Sequence, residues 1–348
     1  MEFEPDYHHI IKAASNIRPS RLPLYEHQID TSLMTMILGE DIQSSSNNKK
    51  DLYYSYGRQC EFWKEMTYDT ISFEVQICPI LPDHGAIYGG RPGPIQNRED
   101  FEKYPFQEIP KIFWNHWTPH LEALAEVMPN GMKAVGGCGY GVFEINVNLV
   151  GYEPLCLLMY DDPELFSDLY VRIGDLMTTL WSQLLKRYSS LFAVCRMGDD
   201  LGYKKSTLLD PITIIEHIIP QYRRIVSLVH KVGKPFLFHS CGNIFSIMDE
   251  VIKAGIDAKH SNEDIIAPFN KWIESYGDRI ALFGGIDVNI LCTEDPKAVF
   301  KEVVNRGREY RKLSKGYAIG SGNSNPDYVP IEGYLAMIDG VKGIRRSE

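Results

Sequence analysis

From residue 132 onward the chain alternates short apolar runs with longer amphipathic stretches, and this alternation predicts a parallel β/α architecture. The runs of strand type are 132–136, 193–197, 235–238, 256–258, 280–283 and 317–319. Helix starts between them are marked by Asp162-Pro163, Asp210-Pro211 and Asp295-Pro296, which place an aspartate at the cap and a proline in the first turn. Gly255 stops a helix over 244–254, and Pro330 opens the last one. Upstream, 70–78 alternates apolar and polar residues, a strand with one side facing water or a cavity. A short helix is predicted over 31–38 and a longer one over 108–127. In the latter, Trp114, His116, Trp117 and His120 read as packing residues.

Nearly every strand ends in a polar or glycine-rich cluster, and in a (β/α)8 barrel those ends form the catalytic face. A doubly wound open sheet would gather its chemistry at a single switch point. Clusters after at least five strands favour the barrel. The predicted fold is α/β, a single (β/α)8 TIM barrel over 61–348, with residues 1–60 as an N-terminal extension packing on it. Two loops, the polar 43–50 and the Gly/Pro-rich 79–94, are candidates for a movable cover.

An apolar content of 44% supplies a sizeable core, and a formal net charge of −10 disfavours nucleic acid and anionic membranes as partners. The acidic start carries no secretory signal, and no apolar run is long enough for a membrane helix. The seven cysteines are irregularly spaced, with no Cys-x-x-Cys, so a reducing cytoplasm is expected rather than a disulfide framework.

The chemistry centres on His239-Ser240-Cys241-Gly242 at the end of the 235–238 run. Residues two apart on a strand share a face, so an imidazole and a thiol meet at one tip. Both suit borderline and soft metals, although a buried histidine beside a buried free cysteine would give the same pattern. Asp199-Asp200 ends another strand and offers carboxylates for acid/base work or ligand anchoring. Glu144 follows the loop Gly137-Cys138-Gly139-Tyr140-Gly141, either as a capping carboxylate or as a site residue. Tyr140, Asp287, Ser321 and Asn323 are candidate substrate contacts, with loop ordering the competing role for Asp287. The P-loop, dinucleotide, kinase and nucleophile-elbow patterns are missing.

Taken together, Gly141-Val142-Phe143-Glu144, Gly198-Asp199-Asp200-Leu201-Gly202, Phe238-His239-Ser240-Cys241-Gly242, Gly284-Gly285-Ile286-Asp287 and Ser321-Gly322-Asn323-Ser324 resemble the uroporphyrinogen decarboxylase superfamily. The resemblance implies one barrel with its active site at the C-terminal strand ends. The early Arg-Gln-Ala-Gly-Arg segment of true decarboxylases is replaced by Arg21-Leu22-Pro23-Leu24-Tyr25. His239 and Cys241, in contrast, resemble the zinc ligands of the corrinoid-dependent methyltransferase branch. That branch implies a zinc cofactor, a separate protein carrying corrinoid (cobalamin), and a small methylated or methoxylated substrate in one-carbon metabolism.

One departure is Ser321, where thiol-methylating relatives have a third zinc-binding cysteine. Either another group takes that place, with Glu144, Cys138 or Asp199 as candidates, or the site is metal-free. The change favours O-demethylation onto a corrinoid protein over thiol methylation, with Asp199 or Asp200 orienting substrate or handling a proton. The rivals are a lyase holding a polyacid through Arg91, Arg98, Arg196, Lys204 and Lys205, and a non-catalytic ligand-binding barrel. The oligomeric state is open, a homodimer included.

Overall fold

The computed structural model describes residues 3–43 and 48–347. Seven parallel strands form one sheet in sequence order: β1 Thr70–Gln76, β2 Lys133–Gly139, β3 Phe192–Gly198, β4 Phe236–His239, β5 Ala258–His260, β6 Ala281–Ile286 and β7 Tyr317–Ser321. Each lies within a few residues of the run that predicted it: strands buried on both faces, such as β4, are written as short continuous apolar stretches, whereas the half-buried β1 is written as an alternation.

A (β/α)8 barrel calls for eight strands; the sequence marks seven runs, and the sheet among the described residues has seven strands. The eighth place is held by an irregular segment before β1. Leu24 makes a single parallel bridge with Ile319 of β7, Tyr25 N–H donates to Ile319 O, and Ile319 N–H donates to Pro23 O. On its other side, the Ser72 hydroxyl of β1 donates to Glu26 O. Pro23 has no N–H to give, so a continuous ladder cannot run through it.

Strand alternation divides the core in two. Phe236 and Phe238 point outward into the large cluster beneath the helices, whereas Leu237 points inward. The inner cluster joins Leu237 with Val135, Val194, Ala281, Phe283 and Ala318, and it is capped by Ile10, Ala13 and Ala14 of the helix His8–Ala14. His8 is exposed, but the i, i+3, i+4 spacing of Ile10, Ala13 and Ala14 makes an apolar stripe that plugs the N-terminal end of the sheet. Full burial of Ile10 stabilises the fold by roughly 1.5–3 kcal/mol, and each alanine methyl by less than about 1 kcal/mol.

Of the loop expected at 43–50, residues 44–47 lie outside the described residues, and Asn48 caps the helix Lys49–Glu65 by accepting from Asp51 N–H. The loop 79–94 is tied at both ends: Gly85 N–H donates to Asn148 Oδ1, and Gly93 N–H donates to Val150 O. Only its tip, 88–92, is exposed throughout. Among the described residues no single helix is long and apolar enough to cross a membrane.

Candidate functional site

The inward phase of β4 that buries Leu237 delivers His239 to the C-terminal mouth. The strand ends there, and Cys241 follows in a turn rather than on the strand. Gly242 takes φ 76° and crosses so close to Gly202 that a Cβ would lie 2.3 Å from its carbonyl carbon. That turn returns the thiol to the imidazole, with Cys241 Sγ 3.5 Å from His239 Nε2. Asp200 joins them: its Oδ1 accepts from Cys241 N–H at 2.8 Å and lies 3.9 Å from His239 Nε2.

This donor set fits a tetrahedral zinc. Zn–N of about 2.0–2.1 Å and Zn–S of about 2.3 Å at a tetrahedral angle separate the two donors by about 3.5 Å. The carboxylate, imidazole and thiol atoms all lie within 4.8 Å of one another. Of the third ligands proposed from sequence, Cys138 is buried in β2 and Asp199 is committed elsewhere, and Glu144 is outside the cluster. Asp200 is the carboxylate that lies beside His239 and Cys241. The Cys241 thiol is held in its protonated form by burial, and next by the Asp200 charge, and a bound cation reverses that preference.

Two histidines that sequence reading did not single out complete the mouth. His260 ends β5 and pairs with His239 across the β4–β5 register, which brings Nδ1 to Nδ1 at 2.8 Å. His27, on the irregular segment, stacks flat on His239 with centroids 3.6 Å apart. The usable signal for His260 was its position at the tip of the strand beside His239. Nothing local marked His27. The three rings also bring ligand nitrogens within 4.8 Å of one another, but the 2.8 Å between the Nδ1 atoms of His239 and His260 is a hydrogen-bond distance, shorter than the roughly 3.3 Å between two nitrogens on one zinc. Burial drives all three imidazoles toward the neutral form, His260 to about 3.

The carboxylates divide by role. Asp199 is fully buried, and it accepts from Phe143 N–H at 3.0 Å, Glu144 N–H at 2.9 Å and Tyr222 OH at 2.5 Å. It therefore caps the helix Val142–Val150, and Gly141 is required there because a Cβ would sit 2.1 Å from the Asp199 carboxyl carbon. Burial raises Asp199 to about 7, against the pull of those donors. Glu144, fixed through its own N–H, turns its side chain into the cavity above His239 and Cys241, a space of roughly 210 Å³ that Tyr140, Asp200 and Asn323 also line. Burial holds Glu144 well above the usual carboxylate range, and the charges of Asp199, Asp200 and Glu74 add to the effect.

Tyr140 takes φ 65°, sparsely populated by residues with a side chain, beside this cavity. Asn323 Nδ2 lies 3.5 Å from Cys241 Sγ and donates to it. Asp287 is elsewhere: its two oxygens accept from Asn289 and Asp264 N–H, ordering the loops after β5 and β6 beside a neighbouring cavity. Ser321 is fully buried and its hydroxyl engages Glu26 and the Asn323 carbonyl, so it offers nothing to the zinc cluster.

Burial pushes Glu26 from 4.5 up to about 8, although Ser321 and Asn325 donate to it. Its folded form thus holds a proton that the unfolded chain has released across that window. The stabilisation is complete below about 4.5 and is lost as pH rises toward 8. Glu26→Gln is expected to flatten the fall in urea midpoint between pH 5 and 8; an unchanged slope would assign it to another group.

The family model described as uroporphyrinogen decarboxylase (URO-D) matches residues 91–344. A solved structure described as a methyltransferase from Methanosarcina mazei superposes with a TM-score of 0.71 at 13% identity, covering 98% of this chain and 99% of that one. At that identity the likeness establishes a shared fold. A sugar phosphate isomerase/epimerase from Parabacteroides distasonis reaches a TM-score of only 0.36 at 10% identity, over 94% of this chain and 96% of that one. No curated protein matches the chain.

Proposed function

We propose that this chain, which belongs to the uroporphyrinogen decarboxylase family, is a zinc-dependent methyltransferase that moves a methyl group from a small methylated or methoxylated molecule to a separate corrinoid protein. The observation that carries the reading is the His239–Cys241–Asp200 donor cluster, spaced for zinc, at the open end of the sheet. The fold shared with a methanogen methyltransferase supports it.

Bound zinc would supply Lewis acidity, polarising the heteroatom that carries the methyl group. Around it the chain's own residues do the rest. His239, Cys241 and Asp200 would hold the ion, and Asn323, which donates to Cys241 Sγ, would support the sulfur ligand. Glu144 faces the cavity, and burial favours its protonated form, so it can give its proton to the heteroatom as the bond to the methyl carbon breaks. Asp199 sets the position of Glu144 by capping its helix.

The lyase reading needs cationic groups free to hold a polyacid. Arg196 is consumed by Glu74 at 2.7 Å, Tyr25 OH at 3.0 Å and His27 O at 2.9 Å. Arg98 pairs with Asp168, and Arg91, Lys204 and Lys205 are exposed. Among the described residues, the cavity over His239 is lined by Glu74, Glu144 and Asp200 and by no lysine or arginine. That balance weighs against a polyanionic substrate.

The test is methyl transfer to cob(I)alamin, followed by its visible spectrum, with methanol, methoxybenzenes and methylamines as donors. Zinc-dependent formation of methylcobalamin is expected with at least one donor, and Glu144→Gln should slow it on the order of 10²-fold. Decarboxylation of uroporphyrinogen without any methyl transfer would reverse the assignment.

A further inference from the structure

His239 can serve the zinc cluster only if the nitrogen facing Cys241 carries a lone pair. In a neutral imidazole either nitrogen can hold the proton, and what fixes the choice is the partner of the other one. Here that partner is a second imidazole, and the ambiguity is resolved one residue further on. His260 Nε2 lies 3.0 Å from the Ser321 carbonyl oxygen. A carbonyl cannot donate, so His260 Nε2 carries a hydrogen. With that proton placed, the neutral ring leaves His260 Nδ1 as an acceptor. The 2.8 Å contact with His239 Nδ1 then requires His239 to be the donor. The lone pair of His239 is left on Nε2, which lies 3.5 Å from Cys241 Sγ and 3.9 Å from Asp200 Oδ1.

We propose that His260 is a positioning residue for the metal site: a hydrogen-bond chain from His239 through His260 to the Ser321 carbonyl fixes the Nδ1–H tautomer of His239, so that its Nε2 faces the metal position before any metal arrives. The inference rests on the zinc reading above for its purpose, but not for its geometry. Three features hold the chain rigid. The β4–β5 register sets His239 opposite His260. The His27 ring lies flat on His239, 16° from parallel, and blocks rotation of the imidazole. The Ser321 side chain is locked by Glu26, which keeps the carbonyl that ends the chain in place. Position 321 thus contributes to the cluster through its backbone while its hydroxyl is turned away.

The test uses full-length protein with ¹⁵N-labelled histidine, zinc-loaded and again after chelation, and reads the tautomers by long-range ¹H–¹⁵N correlation. His239 is expected with its proton on Nδ1 and His260 with its proton on Nε2 in both states. The opposite tautomer of either residue in the chelated protein overturns the proposal, whether or not zinc binds. In parallel, His260→Phe, which keeps the volume, should weaken zinc binding about 10- to 100-fold in chelator competition. His260→Asn, whose amide oxygen can accept from His239 Nδ1, should recover affinity to within about threefold. Equal affinity in the Phe and Asn variants would reduce His260 to packing. Should the Phe variant not fold, the tautomers of the unsubstituted protein decide. A protein that binds no zinc yet shows the expected tautomers would sink the metal reading and leave the chain of hydrogen bonds standing.

Discussion

Protein purified without chelator is expected to carry about one zinc per chain, and the His239→Ala/Cys241→Ala double variant to carry none. The two side chains are the nitrogen and sulfur donors of the cluster and sit at the separation a tetrahedral zinc demands. Asp200 alone remains after the double substitution, and one carboxylate on a loop does not retain zinc against buffer. Each single substitution should cost more than the roughly 100-fold that losing an outer-shell partner costs. Elemental mass spectrometry reads the stoichiometry, and circular dichroism confirms that the variant is folded. Zinc retained by the folded double variant would place the ion elsewhere. No zinc in either protein after loading would remove the mechanism and leave ligand binding or lyase chemistry as the surviving readings. Methyl transfer should vanish with the metal and return when zinc is restored.

Asp199→Ala should unfold the protein more readily by about 2–4 kcal/mol. The substitution leaves Phe143 N–H, Glu144 N–H and Tyr222 OH without their acceptor, and each buried unsatisfied donor costs about 1–3 kcal/mol. Removing a carboxyl that burial has already raised to about 7 returns part of that cost, which keeps the total below the simple sum. Asp199→Asn keeps an oxygen acceptor and should lose less than half as much. Urea unfolding at pH 7 separates the two variants, and a loss under about 0.5 kcal/mol for alanine would contradict the capping role. Because the cap also fixes the backbone of Glu144, both variants should lose methyl transfer out of proportion to stability.

The parallel α/β sheet was legible because its elements are written locally. Apolar runs, aspartate-proline caps and polar strand ends recur in order, and β1 to β7 follow them closely. His239, Cys241 and Asp200 were legible as candidates for the same reason, as they sit at a strand tip or in the loops just beyond, and Glu144 because it opens the helix that follows β2. What escaped detection depends on distant partners. His27 matters only because its segment lies between β7 and β1, hundreds of residues apart in sequence. The distinction between Asp199 and Asp200 turns on a helix that begins more than fifty residues earlier. Ser321 looked like a missing ligand, and only the position of Glu26 explains where its hydroxyl goes. The plug at His8–Ala14 was hidden by the charged residues around it.

The irregular segment that fills the eighth place also bears on how the protein is made. Glu26 finds its partners 295 and 299 residues later, at Ser321 and Asn325. Closing so long a loop costs entropy that grows only with the logarithm of its length, yet such distant pairings slow folding. During synthesis, the seam between β7 and residues 23–26 cannot form until the chain through Asn325 has left the ribosome. A nascent chain stopped short of β7 would own His239, Cys241 and Asp200, but neither the carbonyl that orients His239 nor the anchor for the His27 segment. On the zinc reading, the three donors would be in place before β7, but the hydrogen-bond chain that orients His239 would be completed only when β7 joins the sheet.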